Sequence, residues 1–200
     1  MNTIEAITKR RSIRHFQKDF KIPNSDIEQL IKLAMLSPTS YNIQHWKFLV
    51  VEDLETRQKI QDAAFGQVQV TEASHLILVI TDIKAWNKSM KEKWKNVPKE
   101  VGDFMSSSAP QFYEGREQLQ RDEAIRSASF ATQTLLIAAT EMGYETGTMI
   151  GFDFDETAKI INLPENHIIS NFIVVGKGIK DPMERGGQLP LEKVLIKNSF

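Results

Sequence analysis

The chain of 200 residues contains no cysteine. This absence excludes disulfide bonds, zinc–thiolate sites, iron–sulfur clusters and cysteine nucleophiles. An excess of charge of one sign is also missing, because 25 Lys and Arg residues face 26 Asp and Glu residues, for a net charge of −1. Proteins that bind nucleic acids usually carry a clear basic excess. We therefore expect no nucleic acid as a partner.

Long hydrophobic runs are absent as well. The longest uninterrupted apolar stretches, residues 76–80 and 135–139, span about five residues, whereas a membrane-spanning helix needs roughly 20. The N-terminal segment has basic residues but no apolar stretch of the kind found in secretory signals. We expect no membrane partner and predict a cytoplasmic location.

Familiar catalytic motifs are also missing. The sequence has no Gly-Lys-Ser/Thr phosphate loop, no Gly-x-Gly-x-x-Gly that opens a helix after an early strand, and no Gly-x-Ser-x-Gly motif. The four histidines stand at positions 15, 45, 75 and 167, without the spacing of metal ligands, so we predict no metal site. The side chains therefore offer little equipment for redox or nucleophilic catalysis.

The length allows one large domain or two small ones, and apolar periodicity predicts interleaved helices and strands of the α/β or α+β class around one sheet. The predicted strands are residues 47–51, 76–81, 146–150 and 168–175. The predicted helices are residues 3–10, a helix that opens near Asn24 with a capping box from Ser25 to Glu28 and ends before Pro38, and residues 54–64, 115–142 and 155–161.

Three further segments have distinctive composition. Residues 124–139 are apolar on nearly every side, which predicts a helix buried in the domain or in a subunit interface. Residues 104–111, which contain SSSAP, are interpreted as a mobile connector or short lid. The apolar tail, residues 194–200, is predicted to be extended and to reach across a partner subunit.

Two segments suggest ligand binding. Residues 9–21 hold six basic residues and one acid, centred on Arg10, Arg11, Ser12 and Arg14. Arginine N–H pairs and a serine hydroxyl suit phosphate oxygens, although a solvated helix end explains the same pattern. Residues 37–46 are mostly hydrogen-bonding and lie between a helix and a buried strand. They suit the edge of a flat polar heterocycle, although an ordinary capped loop explains them too.

The order and spacing of these segments resemble the nitroreductase family over nearly the whole chain. That family consists of homodimeric, FMN-dependent NAD(P)H oxidoreductases. The resemblance implies a single FMN-binding domain, residues 1–200. Its fold would be an α+β three-layer sandwich with a central, mainly antiparallel sheet flanked by helices and a long buried helix at the dimer interface. The matching segments are RRSIRHF (10–16), SPTSYNIQHW with KFLVV (37–51), GQVQ (66–69), ASH (73–75), MIGF (149–152), VGKG (175–178) and RGGQLPLE (185–192).

The resemblance also implies roles for individual residues. It assigns the FMN phosphate and ribityl chain to Arg10, Arg11, Ser12 and Arg14. It places over the isoalloxazine ring, from the other subunit, the loop of Pro38, Thr39, Ser40, Tyr41 and Asn42, with Gln44 just beyond. It places Gln69 at the N1/O2 edge of the ring, and Ile150, Gly151 and Phe152 along its far face.

Near the C-terminus the match is looser. Many members complete the phosphate site with a Lys-x-Arg or Arg-x-Arg pair ahead of Leu-Pro, whereas here Gln188 directly precedes Leu189. We expect Arg185 to be the phosphate partner, with Lys177 or Gln188 as alternatives. Residues 190–200 are expected to form an arm on the partner subunit.

The lid is expected within residues 84–113. Its aromatic residues either stack on a substrate or pack the lid against the body of the protein. The candidates are Trp94, Phe104, Phe112 and Tyr113. The lysines of residues 84–100 either attract an anionic cofactor or substrate or form a solvated face.

The implied function is transfer of hydride from NADH or NADPH through flavin N5 to a nitroaromatic, quinone or similar acceptor, in a ping-pong cycle. Because the flavin carries the chemistry, we predict no catalytic side chain. A flavin dehalogenase or ring oxidase of the same fold, and a non-enzymic flavin-binding or regulatory dimer, are the alternatives.

Overall fold

Four strands form one sheet in the computed structural model, which describes all 200 residues. They are β1 (Trp46–Val51), β2 (His75–Asp82), β3 (Glu145–Met149) and β4 (His167–Gly176). Every neighbouring pair is antiparallel, and the order across the sheet is β1-β2-β4-β3. All four strands were predicted from their apolar runs, and each observed end lies within one residue of the predicted end.

Eight helices accompany the sheet. They are α1 (Thr3–Lys9), α2 (Asn24–Ala34), α3 (Leu54–Ala63), α4 (Gln69–Glu72), α5 (Lys99–Tyr113), α6 (Glu117–Glu141), α7 (Phe154–Ile160) and α8 (Leu191–Val194). None of these helices combines the length and the apolar character needed to cross a bilayer.

The strand β2 explains the layered architecture. All eight of its residues are buried, and successive side chains point to opposite faces of a sheet. Ile77 and Val79 pack in a core with α2 and α6, whereas Leu76 and Leu78 pack in a second core that contains residues of α3. Helices therefore cover both faces, and the predicted α+β sandwich with an antiparallel sheet is confirmed.

The composition of residues 104–111 led us to expect a connector. These residues instead belong to the 15-residue helix α5. The hydroxyls of Ser106 and Ser108 donate to carbonyls one turn back, both at 2.7 Å, so they do not break the helix. Pro110 removes a single backbone donor. The buried side chains of Ala109 and Tyr113 anchor the helix to the body, which sequence pattern alone did not reveal.

The predicted capping box at Ser25 is also wrong. The helix α2 starts at Asn24 with Pro23 as its N-cap, so Ser25 lies inside the first turn and its hydroxyl bonds Asp26. A capping box requires its hydroxyl or amide at the N-cap position itself. That motif occurs at α1 instead, where Asn2 and Glu5 cap each other's backbone amides.

Within one chain, the helix α6 buries one face, and burial of the other face in a subunit interface stays a prediction. Ala128, Ala131 and Leu135 are fully buried against the sheet, whereas Phe130 on the other side is 45% exposed. The C-terminal segment is exposed as well. Val194, the first residue of the predicted extended tail, is the last residue of the one-turn helix α8. No residue after Gly176 is buried. Contact of this tail with a partner subunit stays a prediction.

Candidate functional site

The basic segment that follows α1 lies against the start of β3. The Ile13 amide donates to the Thr146 carbonyl at 2.9 Å, and Ser12 pairs with Thr146 as a parallel bridge. Ile13 is buried, while Ser12 and Arg14 are exposed. A glycine is required at position 147, because a Cβ there would lie 2.8 Å from the Ile13 carbonyl oxygen. The strand thus holds the basic segment with its polar side chains outward.

These outward side chains line an open cleft of about 690 Å³. The predicted residues Arg10, Arg11, Ser12 and Arg14 form one wall, and residues 180–188 form the other. The Arg185 guanidinium spans the cleft, where its Nη2 donates to the carbonyls of Thr8 at 2.9 Å and Arg10 at 3.0 Å. Arg11 donates in turn to the Met183 carbonyl. The structure therefore brings together two segments that lie about 175 residues apart in sequence.

The cleft concentrates positive charge. Burial lowers the pKa of Arg10, and the charges of Arg185 and Arg11 lower it further. None of the cleft arginines forms an ion pair with a carboxylate, although Asp181 and Glu184 belong to the same wall. Clustered guanidinium groups without a negative partner suit a phosphate, which accepts paired N–H bonds from arginine.

Of the three residues considered for completing this site, two line the cleft, Arg185 and Gln188. The Lys177 ammonium instead lies 5.8 Å from the centre of the Phe20 ring. His15 and Lys180 also line the cleft. Sequence reasoning missed both in this role, although the basic run that precedes His15 was a usable signal.

Gln69 and Gly151 come together through a residue to which sequence reasoning assigned no role. The Gln69 amide, which is buried, donates to Gln67 Oε1 at 3.0 Å, and Gln67 Nε2 donates to the Gly151 carbonyl at 2.7 Å. Ile150, beside this chain of amides, is 70% exposed. The arrangement offers amide donors and open backbone at one place on the surface.

The buried side chain of Arg57 supports the segment that carries Gln69. The Arg57 guanidinium is covered by the protein and donates to the carbonyls of Val70 at 2.8 Å, Ala73 at 2.5 Å and Ser74 at 3.2 Å. These carbonyls belong to α4, which begins at Gln69, and to the turn that follows it. Burial lowers the pKa of Arg57, but three carbonyl partners near a helix C-terminus suit a cation.

The amide group and the basic cleft lie at opposite ends of β3. Thr146 contacts the basic segment near the start of this strand, and Gly151 follows its end. Five residues of extended chain span about 16 Å. Neither Gln69 nor Gly151 lines the basic cleft itself. One elongated ligand, with an anionic end and a flat polar end, would match this separation.

The polar loop after α2 has an unusual backbone. Tyr41, Asn42 and Gln44 have φ angles of 49°, 52° and 54°. Left-handed conformations of non-glycine residues cost roughly 1–3 kcal/mol each and persist where surrounding contacts enforce them. The Asn42 side chain donates to the Lys93 carbonyl at 2.6 Å, and Gln44 Nε2 donates to Asn42 Oδ1 at 2.9 Å. Pro38 is exposed at the beginning of the loop.

The helix α6 supplies further contacts to this loop. Glu123, which is 7% exposed, lies with its Oε1 3.3 Å from the Ser40 amide and 3.1 Å from Ser127 Oγ. The Ser127 hydroxyl oxygen is 2.9 Å from Thr39 Oγ1. Sequence reasoning missed Glu123, although Glu123 and Ser127 are four residues apart and therefore share one helix face.

The four aromatic residues of the predicted lid have different environments. Tyr113 is only 1% exposed, and its hydroxyl donates to Ser40 Oγ at 2.7 Å, so its ring packs inside the body of the protein. Phe104 and Phe112 are 64% and 40% exposed. Trp94 lines a second cleft, of about 830 Å³, between α5 and the short turns before it. Phe104, Phe112 and Trp94 therefore retain surface that a substrate can contact, whereas Tyr113 does not.

Comparison with known proteins identifies the class. Residues 7–177 match the model of the nitroreductase family, so the chain belongs to this family and is an oxidoreductase. It is 41% identical to protein DrgA of Synechocystis, over 98% of this chain and 95% of that protein. It is 33% identical to MhqN of Bacillus subtilis, whose name gives NAD(P)H nitroreductase as an inferred activity, over 86% of each chain.

Solved structures agree with the fold. A structure from Exiguobacterium sibiricum that contains FMN superimposes with a TM-score of 0.89 at 25% sequence identity, over 99% of this chain and 98% of that one.

Proposed function

We propose that this chain is an FMN-dependent oxidoreductase that transfers reducing equivalents from NADH or NADPH to a nitroaromatic, quinone or similar acceptor. We further propose a ping-pong cycle, a homodimer and a cytoplasmic location. The observation that carries the proposal is the cleft in which Arg10, Arg11 and Arg185 converge without a carboxylate partner. Membership of the nitroreductase family supports it.

The residues present fit FMN by the chemistry of their donors. The basic cleft provides guanidinium and hydroxyl donors for a phosphate, and the amide group of Gln67, Gln69 and Gly151 provides donors and an acceptor for a polar ring edge. FMN bound there would supply a ring that accepts hydride and returns two electrons. The residues proposed to hold it are Arg10, Arg11, Ser12, Arg14, Pro38, Thr39, Ser40, Tyr41, Asn42, Gln44, Gln69, Ile150, Gly151 and Arg185.

We propose that the protein's own side chains hold the flavin in place and set its reduction potential. Arg57 holds α4, which begins at Gln69, and Gln67 donates to the Gly151 carbonyl. Because the Gln69 side chain is a neutral amide, it stabilises negative charge on a reduced ring less than a lysine would. We therefore propose a lower reduction potential for this protein than for a variant with lysine at this position.

Two observations support a homodimer. Within one chain, no residue of the polar loop, residues 37–44, lines the basic cleft. Exposed apolar side chains also lie on α6 and along the C-terminal tail, including Phe130, Leu191 and Leu195. A second copy of the chain would account for both observations if its loop reached the cleft of this chain and its surface covered these apolar side chains.

The test begins with the purified protein under anaerobic conditions. We expect tightly bound FMN and loss of the yellow colour on addition of NADH or NADPH, followed by reoxidation with a quinone or nitroaromatic. The double variant Arg10→Ala/Arg14→Ala should lose FMN, whereas Arg121→Ala, an exposed arginine on α6, should retain it.

Other outcomes would reject parts of the proposal. Colour that neither pyridine nucleotide bleaches would favour the non-enzymic flavin-binding dimer. Bleaching without turnover of a quinone or nitroaromatic would favour a dehalogenase or ring oxidase. Normal FMN content in the double variant would reject the phosphate site at the basic cleft.

A further inference from the structure

We propose that Glu123 is the positioning residue of the loop formed by residues 37–44, and that it fixes the shape of this loop before FMN is bound. The proposal rests on the proposed function only in treating this loop as part of the flavin site. Glu123 lies on α6, outside the segments that suggested a flavin site. The residues through which it acts, Ser127, Thr39 and Ser40, are called the Glu123 network below.

The position of Glu123 makes its carboxylate the anchor of the network. The side chain is nearly buried, and Arg126 bonds to Oε2, which leaves Oε1 for the loop. Oε1 accepts from the Ser40 backbone amide and from Ser127. A buried carboxylate needs such donors, because an unsatisfied charge inside a protein is costly. The loop and the carboxylate therefore stabilise each other.

The Ser127 hydroxyl links the carboxylate to the loop. Its one proton is shared between two acceptors, Glu123 Oε1 at 3.1 Å and Thr39 Oγ1 at 2.9 Å. Thr39 Oγ1 also accepts from the Gln44 amide at 3.3 Å, which leads the chain of bonds to the other end of the loop. The carboxylate thus orients groups at both ends of the loop.

The same network joins the loop to α5. Burial raises the pKa of Tyr113, so its hydroxyl stays protonated and donates to Ser40 Oγ. The Tyr113 carbonyl accepts from Gln120 Nε2 at 2.7 Å, which ties α5 back to α6.

The network also explains how the loop tolerates its backbone. Tyr41, Asn42 and Gln44 adopt left-handed conformations within four residues. Such a segment relaxes unless contacts on both sides enforce it. At the start of the strained segment, the Ser40 amide donates to Glu123. At its end, the Gln44 amide donates to the Thr39 hydroxyl, so the Glu123 network holds both ends of the segment.

The experiment compares hydrogen–deuterium exchange and FMN affinity across matched variants. Glu123→Gln keeps the volume and removes the charge, and Ser127→Ala removes one hydroxyl. Glu156→Gln is the control, because Glu156 also pairs with a cation three residues away, Lys159 at 3.2 Å, but lies on α7. Exchange of residues 39–44 is measured with and without bound FMN, and FMN affinity by titration of the flavin-free protein.

We expect Glu123→Gln to raise the exchange rate of the Ser40 and Gln44 amides about tenfold in the flavin-free protein, while amides of β2 and β4 keep their protection. The dissociation constant for FMN should rise by about tenfold, and Ser127→Ala should show smaller changes of the same sign. At saturating FMN, turnover should stay within about twofold of the wild type, since the network positions the loop and does not react. Glu156→Gln should change none of these quantities.

Unchanged exchange of residues 39–44 in both Glu123→Gln and Ser127→Ala would overturn the proposal. Faster exchange with an unaltered FMN affinity would also overturn it, because the loop would then be fixed for another purpose. Failure of the wild type to bind FMN would reject the proposed function instead. The exchange rates would still decide whether Glu123 fixes the loop.

Discussion

Replacement of Arg57 by leucine tests how much a buried cation supports the segment that carries Gln69. Arg57 is 4% exposed, and its guanidinium donates to three carbonyls, those of Val70, Ala73 and Ser74. Leucine fills much of the space and restores none of these bonds. The carbonyls at the end of α4 would then be left without their donor.

The size of the effect follows from these three bonds. A hydrogen bond from a charged group contributes about 1.5 kcal/mol or more, so three of them contribute about 4.5 kcal/mol. The variant also no longer bears the cost of burying a charged guanidinium, which offsets part of the lost stability. The net decrease in the free energy of unfolding is about 3 kcal/mol. For a chain of this length, each kcal/mol lowers Tm by about 2–4 °C, so Tm should fall by about 6–12 °C.

Thermal unfolding followed by circular dichroism measures this change. Arg57→Lys should recover less than half of the loss, because one ammonium group does not replace the planar fork of a guanidinium. Arg121→Leu is the control, since the Arg121 side chain is exposed on α6, and the Tm of this variant should stay close to that of the wild type. A fall of less than about 3 °C for Arg57→Leu would refute the reasoning, because the carbonyls would then be satisfied without the arginine.

Three further predictions concern other parts of the chain. Gln69→Lys should raise the reduction potential of bound FMN, measured by anaerobic dye titration, and an unchanged potential would contradict the assigned role. Gly147→Ala places a Cβ 2.8 Å from the Ile13 carbonyl and should reduce FMN retention and lower stability by about 1–3 kcal/mol, whereas Gly186→Ala, where a Cβ meets open space, should leave stability unchanged. Burial lowers the pKa of His45 below its usual 6.5. The unfolded chain therefore binds the proton first as the pH falls, so stability should rise with pH just below 6.5, and His45→Gln should flatten this slope in urea titrations.

The elements predicted correctly are those whose local pattern matches their environment. The strand β2 is buried along its whole length, so an unbroken apolar run identifies it. The helix α5 was missed because its serines and Pro110 suggest a connector, whereas burial of Ala109 and Tyr113 decides its conformation. That burial depends on distant parts of the chain, which a local pattern does not contain.

The same distinction applies to the candidate site. Arg10, Arg11 and Ser12 stand out as a basic run, but only the fold places Arg185 across the cleft from them. The Glu123 network joins residues 83 and 88 positions apart, and no local spacing connects Glu123 with Ser40 or Ser127 with Thr39. Resemblance to a family suggested the loop as part of the site, whereas the contacts that hold the loop became visible only in three dimensions.

The parallel bridge between Ser12 and Thr146 has a second consequence. The strand β3 ends the sheet, with β4 on one side only, so its outer backbone groups are available to any extended peptide. The basic segment occupies part of that outer side, where the Ile13 amide pairs with the Thr146 carbonyl. Damage to this segment would therefore expose a template for intermolecular strand pairing and favour self-association of the chain.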